Sequence, residues 1–588
     1  MSDPGRGPSG MRTAAAVMLL MALQVVCAPG RAVAGGGQPA GSDQPLPSPN
    51  STDPEGSAAE PRMEAGRRIY REGVLPSGEN LVAMSQGVVP LPGSQAACAN
   101  CHRRSAQRSV EGGRIVPSIT GKALFAAQSR GRIERPAYSM ETLDRALRSG
   151  IDAGGRPLDP LMPRFDLSRE DLESLVGYLG SLSSPNDPGV EPERLHFATV
   201  VHEDADPVAR RSMLDVLQVF FSNKRDQWMR ASLRESWRDQ LGVRYQGEPI
   251  FRAVVQTRTR ARKTGRGWLA VDRDFRDWVL HVWELKGAPE SWRAQLEAHY
   301  AEQPVLAMIS GMTGGPWQPI HEFCAGFEIP CLLPNTDVPP ADEEHFSLYF
   351  NRGTALEAQV LARHWRDSGM NGAVLQVYRR ETPGEAAATA LEQAAKGGDI
   401  RIQTRSIDPG QAPSPALWQD LVAGGQVAAA ALWLGEKDLA DLGDPPVTVD
   451  RVFLSSSLGV DAFAADSRRQ ARTYLIHPFD LRAATPGWVP PRIQEWLRNW
   501  GVEPGDARIQ ANTYFASSVL SGALSEMGDR ISREYLLEMA EDRLDRAVTD
   551  SLFPRVSLGP GQRFASKGAY ILNANSQQPS AETGWIVP

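Results

Sequence analysis

Cys98-Ala99-Asn100-Cys101-His102 constrains this chain more than any other stretch of it. Two thiols in a C-x-x-C spacing stand about one helical turn apart, so each can add to a vinyl group of a haem. The histidine that follows is then held beneath the iron as an axial ligand. A C-x-x-C pair also serves as a redox dithiol or as half of a zinc site. No second cysteine pair lies nearby to complete a zinc tetrad; the chain has 5 Cys in all. The motif predicts one covalent haem c on Cys98, Cys101 and His102.

Attachment of this kind takes place outside the cytoplasm, and the N-terminus reads as an export signal. Arg6 and Arg12 precede an apolar run from Ala14 to Cys27, and Ala32-Val33-Ala34 fits a small-x-small cleavage site. The run is about 14 residues, short for a membrane span. No later stretch approaches 18 consecutive apolar residues, so the mature chain is expected to carry no membrane span. A periplasmic location follows.

At 588 residues the chain is multidomain. The expected organisation is a signal peptide at 1–34 and a disordered Gly/Pro/Ser-rich linker at 35–61. A compact segment at 62–183 follows, then a second linker at 184–194 and a long region at 195–588. All 14 Trp lie at or after Trp228, so composition changes between the two folded parts. A net charge of −7 argues against nucleic acid as a partner.

His102 is the only histidine before His196, so a second imidazole from the same segment is excluded as the sixth iron ligand. Thioether sulfur is the usual alternative. The candidates are Met63, Met84, Met140 and Met162. Met162 is favoured: Leu161-Met162-Pro163-Arg164-Phe165 is a proline-stiffened loop before a helix capped at Ser168.

Several further stretches carry a family likeness. Gly66-Arg67-Arg68-Ile69-Tyr70-Arg71-Glu72-Gly73 looks like a first helix. Ile115-Val116-Pro117-Ser118, Gly150-Ile151-Asp152, the Met162 loop and Asp171-Leu172-Leu175-Tyr178-Leu179 follow in order. With the C-x-x-C-H motif, this segment resembles a class I mono-haem cytochrome c over about 120 residues. The resemblance implies an all-α domain, with the Pro117 carbonyl orienting His102. An iron with both axial positions filled carries one electron and does no substrate chemistry. The stretch between Gly73 and Cys98 is longer than the family pattern.

From 195 onward, short apolar strands alternate with amphipathic helices, the pattern of α/β with mainly parallel sheets. Expected strands are Leu195–His202, Ile250–Gln256, Val279–Leu285, Val305–Ile309, Cys331–Pro334, Ala373–Tyr378, Ile400–Arg405, Val427–Leu434, Val452–Ser455 and Thr473–Ile476. About 390 residues should divide into two lobes. Val305 to Gly311, Pro319 to Phe323, Ile329 to Thr336 and Ser347 to Gly353 together resemble a type I periplasmic binding protein, of the branched-chain amino acid and amide ABC receptor group. The resemblance implies a solute held by Ser310, Thr313, Gly314, Asn335 and Thr336, with Tyr378 facing them from the second lobe. Each of these residue types also serves ordinary turns and cores. Tyr378-Arg379-Arg380-Glu381 departs from the family pattern, where an acidic or small residue is commoner. Trp317 and Trp433 suit either a pocket or a core.

Cys324 and Cys331 suit either a disulfide or two buried thiols. The basic run Arg258, Arg260, Arg262, Lys263 and Arg266 suits a solvated hairpin or an acidic redox partner. No hydrolase motif has supporting context, so the expectation is not an enzyme. The expected function is periplasmic electron transfer, exchanging electrons with an unidentified dehydrogenase or terminal acceptor. A fused solute-binding module would capture a small ligand or orient the redox partner. The alternative is an ABC-type solute receptor with an accessory haem.

Overall fold

The N-terminal segment is built around capped helices and short antiparallel strands. The computed structural model describes residues 56–588 apart from 112, 131–132, 183–186, 246–275, 343, 398–399, 424–426, 460–471, 486, 529, 547–550, 560 and 575–583. The signal peptide expected at 1–34, most of the linker expected at 35–61, the strand expected at Ile250–Gln256 and the basic run 258–266 lie outside the described residues.

Helix α1 (Gly56–Glu72) begins inside the stretch expected as linker. A sheet of β1 (Val82–Ser85), β2 (Val89–Pro92) and, later, β7 (Arg164–Phe165) follows in the order β2-β1-β7, all antiparallel. Between them come α2 (Ala99–His102), the hairpin β3 (Ser109–Glu111) and β4 (Arg114–Val116), α3 (Gly121–Leu124), the hairpin β5 (Gln128–Arg130) and β6 (Ile133–Arg135), and α4 (Met140–Ser149). Helix α5 (Arg169–Ser181) closes the segment. The segment is therefore not all-α. The longer stretch after Gly73 forms the β1–β2 hairpin, whose Met84 pairs with Arg164 beside the Met162 loop.

The helix ends follow from side-chain caps. Ser139 accepts from Thr142 N, and α4 stops at Gly150, whose φ of 68° is left-handed. Ser168 caps α5 by accepting from Asp171 N at 3.1 Å. Ile69, Tyr70, Leu143, Leu147, Leu172, Leu175 and Tyr178 form the segment's core.

The larger region has two α/β lobes. Lobe 1 holds β8 (Arg194–His202), α6 (Pro207–Tyr245), β9 (Asp277–Leu285), α7 (Trp292–Glu302), β10 (Ala307–Ile309), α8 (Gln318–Gly326), β11 (Cys331–Leu332) and β12 (Ser347–Leu348). Its sheet runs β12-β11-β10-β8-β9, all parallel. Lobe 2 holds α9 (Gly353–Asp367), β13 (Gly372–Arg379), α10 (Pro383–Ala395), β14 (Ile400–Ile407), α11 (Ala416–Leu421), β15 (Ala429–Trp433), α12 (Glu436–Leu442), β16 (Val452–Ser455) and β17 (Thr473–His477). The chain then returns to lobe 1 for α13 (Pro491–Asn499), α14 (Ala507–Met527) and α15 (Arg533–Asp545). It ends in lobe 2 with β18 (Tyr570–Asn573), antiparallel to β17.

Strands covered on both faces read as unbroken apolar runs rather than alternating ones. All five residues of β15 are buried, as are eight of nine in β8. Helix α14 packs on α6 and α15 in the same core. Trp317 and Trp433 lie fully inside the cores of lobes 1 and 2. Cys324 and Cys331 are buried free thiols.

The chain passes between the lobes at 349–353, 477–480 and 564–570. Two passes pair with each other: Tyr349 N donates to Arg563 O at 2.8 Å, and Ser566 N to Phe350 O at 2.7 Å. A paired crossover of this kind joins two rigid bodies through a few residues, the usual anatomy of a hinge.

Candidate functional site

Cys98 opens α2, and His102 N donates to Cys98 O at 3.0 Å. One helical turn thus presents both thiols and the imidazole. His102 is 7% exposed, and its Nδ1 lies 3.1 Å from the Pro117 carbonyl. That contact makes Nδ1 the protonated nitrogen and leaves Nε2 as the lone-pair donor. Burial pushes the imidazole down to about 4, keeping it neutral, as a metal ligand must be. Burial also raises the Cys98 thiol to about 12.

Met162 is half-buried against the same core. Its loop is tied to the motif through the β3–β4 hairpin. Ser109 Oγ donates to Cys101 O at 2.9 Å, and Arg114 pairs with Asp159 at 2.7 Å. Val110 and Ile115 on that hairpin, and Leu161 beside Met162, are each more than half exposed. An apolar fringe beside the motif is what a flat apolar macrocycle would cover. The donor set and its surroundings therefore fit a haem: two thiols for the porphyrin, one neutral imidazole and a thioether for the iron. Met140 packs on the core as the first residue of α4, Met63 is an exposed residue of α1, and Met84 is partly exposed on β1.

The second candidate site lies between the lobes. Asn335 Nδ2 donates to Ser310 Oγ at 2.9 Å, while Ser310 Oγ lies 3.4 Å from Thr513 Oγ1 of α14. Ser310 is buried with a φ of 54°, in the left-handed region that non-glycine residues rarely adopt. Asn335, Thr336, Asn351, Ser457 and Arg508 line a recess with about 20 Å³ of free space. That is room for a water and too little for an amino acid, so entry of a solute requires the lobes to part. Thr313, Gly314 and Tyr378 do not line this recess. Thr313 Oγ1 donates to Gly315 O, and Gly314 packs against the Asp204 backbone. Tyr378 packs on lobe 2's core, beside Trp433 in the sheet.

Two titratable groups that the sequence did not single out bear on the recess: Arg508 lines it, and Glu357 holds its lining residue Ser457. Arg508 Nη1 donates to Asp337 Oδ1 at 2.8 Å, and that carboxylate raises its pKa. Glu357, wholly buried on α9, accepts from Ser457 N at 3.2 Å and Ser457 Oγ at 2.5 Å; its Oε2 has no hydrogen-bond partner. Burial lifts Glu357 to about 8. Arg508 follows the cap Asp506 at the start of α14. Asp-x-Arg at a helix start is too common in sequence to flag a site.

No family model matches the chain, and no curated protein matches it. Among solved structures it is similar to a putative branched-chain amino acid ABC transporter from Rhodospirillum rubrum, at 15% identity over 68% of this chain and 100% of that one, TM-score 0.43. A leucine-binding protein from Thermotoga maritima aligns at 10% identity over 67% of this chain and 99% of its own, TM-score 0.44. A solute-binding protein from R. palustris, in complex with benzoate, aligns at 8% identity over 67% and 97%, TM-score 0.44. Likenesses at these TM-scores assign no family; the two-lobed architecture rests on the chain's own sheets and crossings.

Proposed function

We propose that this chain is an exported receptor for a small organic solute and that its N-terminal segment carries one c-type haem. The observation that carries the receptor reading is the paired crossover of two parallel-sheet lobes around a recess holding Asn335, Ser457 and Arg508. A crevice outside the carboxyl ends of parallel strands is the usual ligand site of such sheets, and Arg508 favours a solute with a carboxylate or similar anion. The solved structures it is similar to include amino acid and benzoate binders, which agrees with this ligand class. A solute screen by thermal shift tests it. An anionic organic solute should raise Tm, and a silent screen across amino acids, amides and aromatic acids would sink it.

A second reading is favoured by one observation. His102 stands at the end of a C-x-x-C turn with its Nδ1 engaged and its Nε2 left for iron. On that reading the segment is a one-electron carrier. When bound, the haem supplies reversible one-electron chemistry. Cys98 and Cys101 would hold its porphyrin, His102 and Met162 would hold its iron, and Pro117 fixes the imidazole's tautomer. Export follows from Ala14 to Ala34, and among the described residues no helix is long and apolar enough to cross a membrane. The partners on these readings are a donor or acceptor protein for the electron and an anionic small molecule for the recess.

A further inference from the structure

The chain leaves His102 through a turn that L-residues avoid. Arg103 has φ 59° and ψ 176°, a region populated almost solely by glycine, and Ala106 has φ 55°. Neither is glycine, so both conformations persist only where the surroundings hold them in place. The surroundings come from lobe 1. Helix α15 sets Glu534, Glu538 and Asp542 four residues apart, on one face, and each takes one residue of the turn. Asp542 accepts both guanidinium bonds of Arg103 at 3.0 Å. Glu534 accepts from Arg104 Nε at 3.3 Å. Glu538 accepts from Ser105 N at 2.8 Å and from Ser105 Oγ at 2.5 Å. Tyr70 of α1 adds a fourth anchor, donating to Arg103 O at 2.7 Å.

The next residue carries the restraint to the histidine. Ala106 O accepts from Ile119 N at 2.9 Å and from Ser118 Oγ at 3.1 Å. Those two residues directly follow Pro117, whose carbonyl meets His102 Nδ1. The hydrogen bonds thus run from Glu538 through Ser105, Ala106 and the 117–119 loop to the imidazole.

We propose that Glu538 is a positioning residue for the haem's imidazole ligand. On this account α15 of the solute-binding region sets the geometry of the 103–106 turn and, through Pro117, of His102. This rests on the haem reading above. Lobe 1 and the haem segment then move as one body, and α14, which brings Arg508 to the recess, packs directly on α15.

The test uses the full chain, matured in a host that attaches c-type haem, as wild type, E538A, E538Q and S105A. Haem content comes from the pyridine haemochrome, and the readouts are the oxidised visible spectrum and the midpoint potential. E538A should keep one haem per chain but show a lowered potential, because a loosened turn admits water and water favours the charged ferric form. S105A should shift it the same way by less, and E538Q, which still accepts from Ser105 N, should restore it. If E538A does not accumulate, S105A alone decides. A haem-loaded E538A or S105A with wild-type spectrum and potential overturns the inference while leaving the haem reading intact. A wild-type chain without covalent haem overturns that reading, and this inference with it.

Discussion

Ser105 gives both its backbone N–H and its hydroxyl to Glu538, a residue 433 positions later in the chain. Glu538 is 4% exposed, and burial lifts its carboxyl to about 8. Glu534 works in the opposite direction from the Arg103 guanidinium, raising that value where the arginine lowers it.

The sign of the resulting pH dependence follows from linkage. The folded carboxyl lies above its unfolded value of 4.5. Its contribution is therefore fully present below 4.5 and is lost as pH rises towards 8. Urea melts should show wild type losing stability relative to E538Q between pH 5 and pH 8. A constant difference across that range would refute the buried, protonated carboxyl.

Glu534 should behave in the contrary sense. Burial opposes its charge, but His345, Arg71 and Arg104 together hold it down at about 2. Its stabilisation is present above 4.5 and lost as pH falls towards 2. Removing it leaves Arg71, whose side chain is 6% exposed, without its 2.7 Å partner. E534A should cost roughly 3–5 kcal/mol in chemical denaturation at neutral pH. A loss below about 1 kcal/mol, the range of exposed pairs, would show that the network is solvated in solution.

Met162 and Met84 give a paired test of the sixth ligand. M162A should open the iron to added imidazole and change the visible spectrum of the oxidised protein. M84A, on the central strand β1, should leave both unchanged. The reverse pattern would assign the ligand to Met84.

At the interlobe recess, R508A should abolish the Tm rise caused by an anionic solute. T313A should leave it intact, because the Thr313 hydroxyl donates to Gly315 O and does not line the recess. A solute response that survives R508A would move the anion site elsewhere.

Much of the α/β alternation was legible because double burial writes itself as apolar runs. Val452–Ser455 matches β16 residue for residue, and Thr473–Ile476 falls one short of β17. Among the residues proposed to hold a haem, the C-x-x-C-H turn is encoded within five residues and needs no tertiary information. What could not be read is long-range. Nothing in Glu534, Glu538 and Asp542 distinguishes a solvated helix face from one docked on Arg103 and Arg104. The β1–β2 hairpin was missed because Val89-Pro90-Leu91-Pro92 carries two prolines, which argue against a strand unless it lies at a sheet edge, as β2 does. Ser310 and Asn335 do come together, but Thr313, Gly314 and Tyr378 stand away from the recess, since spacing along a turn does not say which way it faces.

The most direct measurement is the mass and visible spectrum of the full chain after export and acid-acetone extraction. The expected mass is that of residues 35–588 plus one haem, with colour that stays with the polypeptide and is lost in C98A/C101A. A colourless chain, or pigment that passes entirely into the acetone, would contradict it.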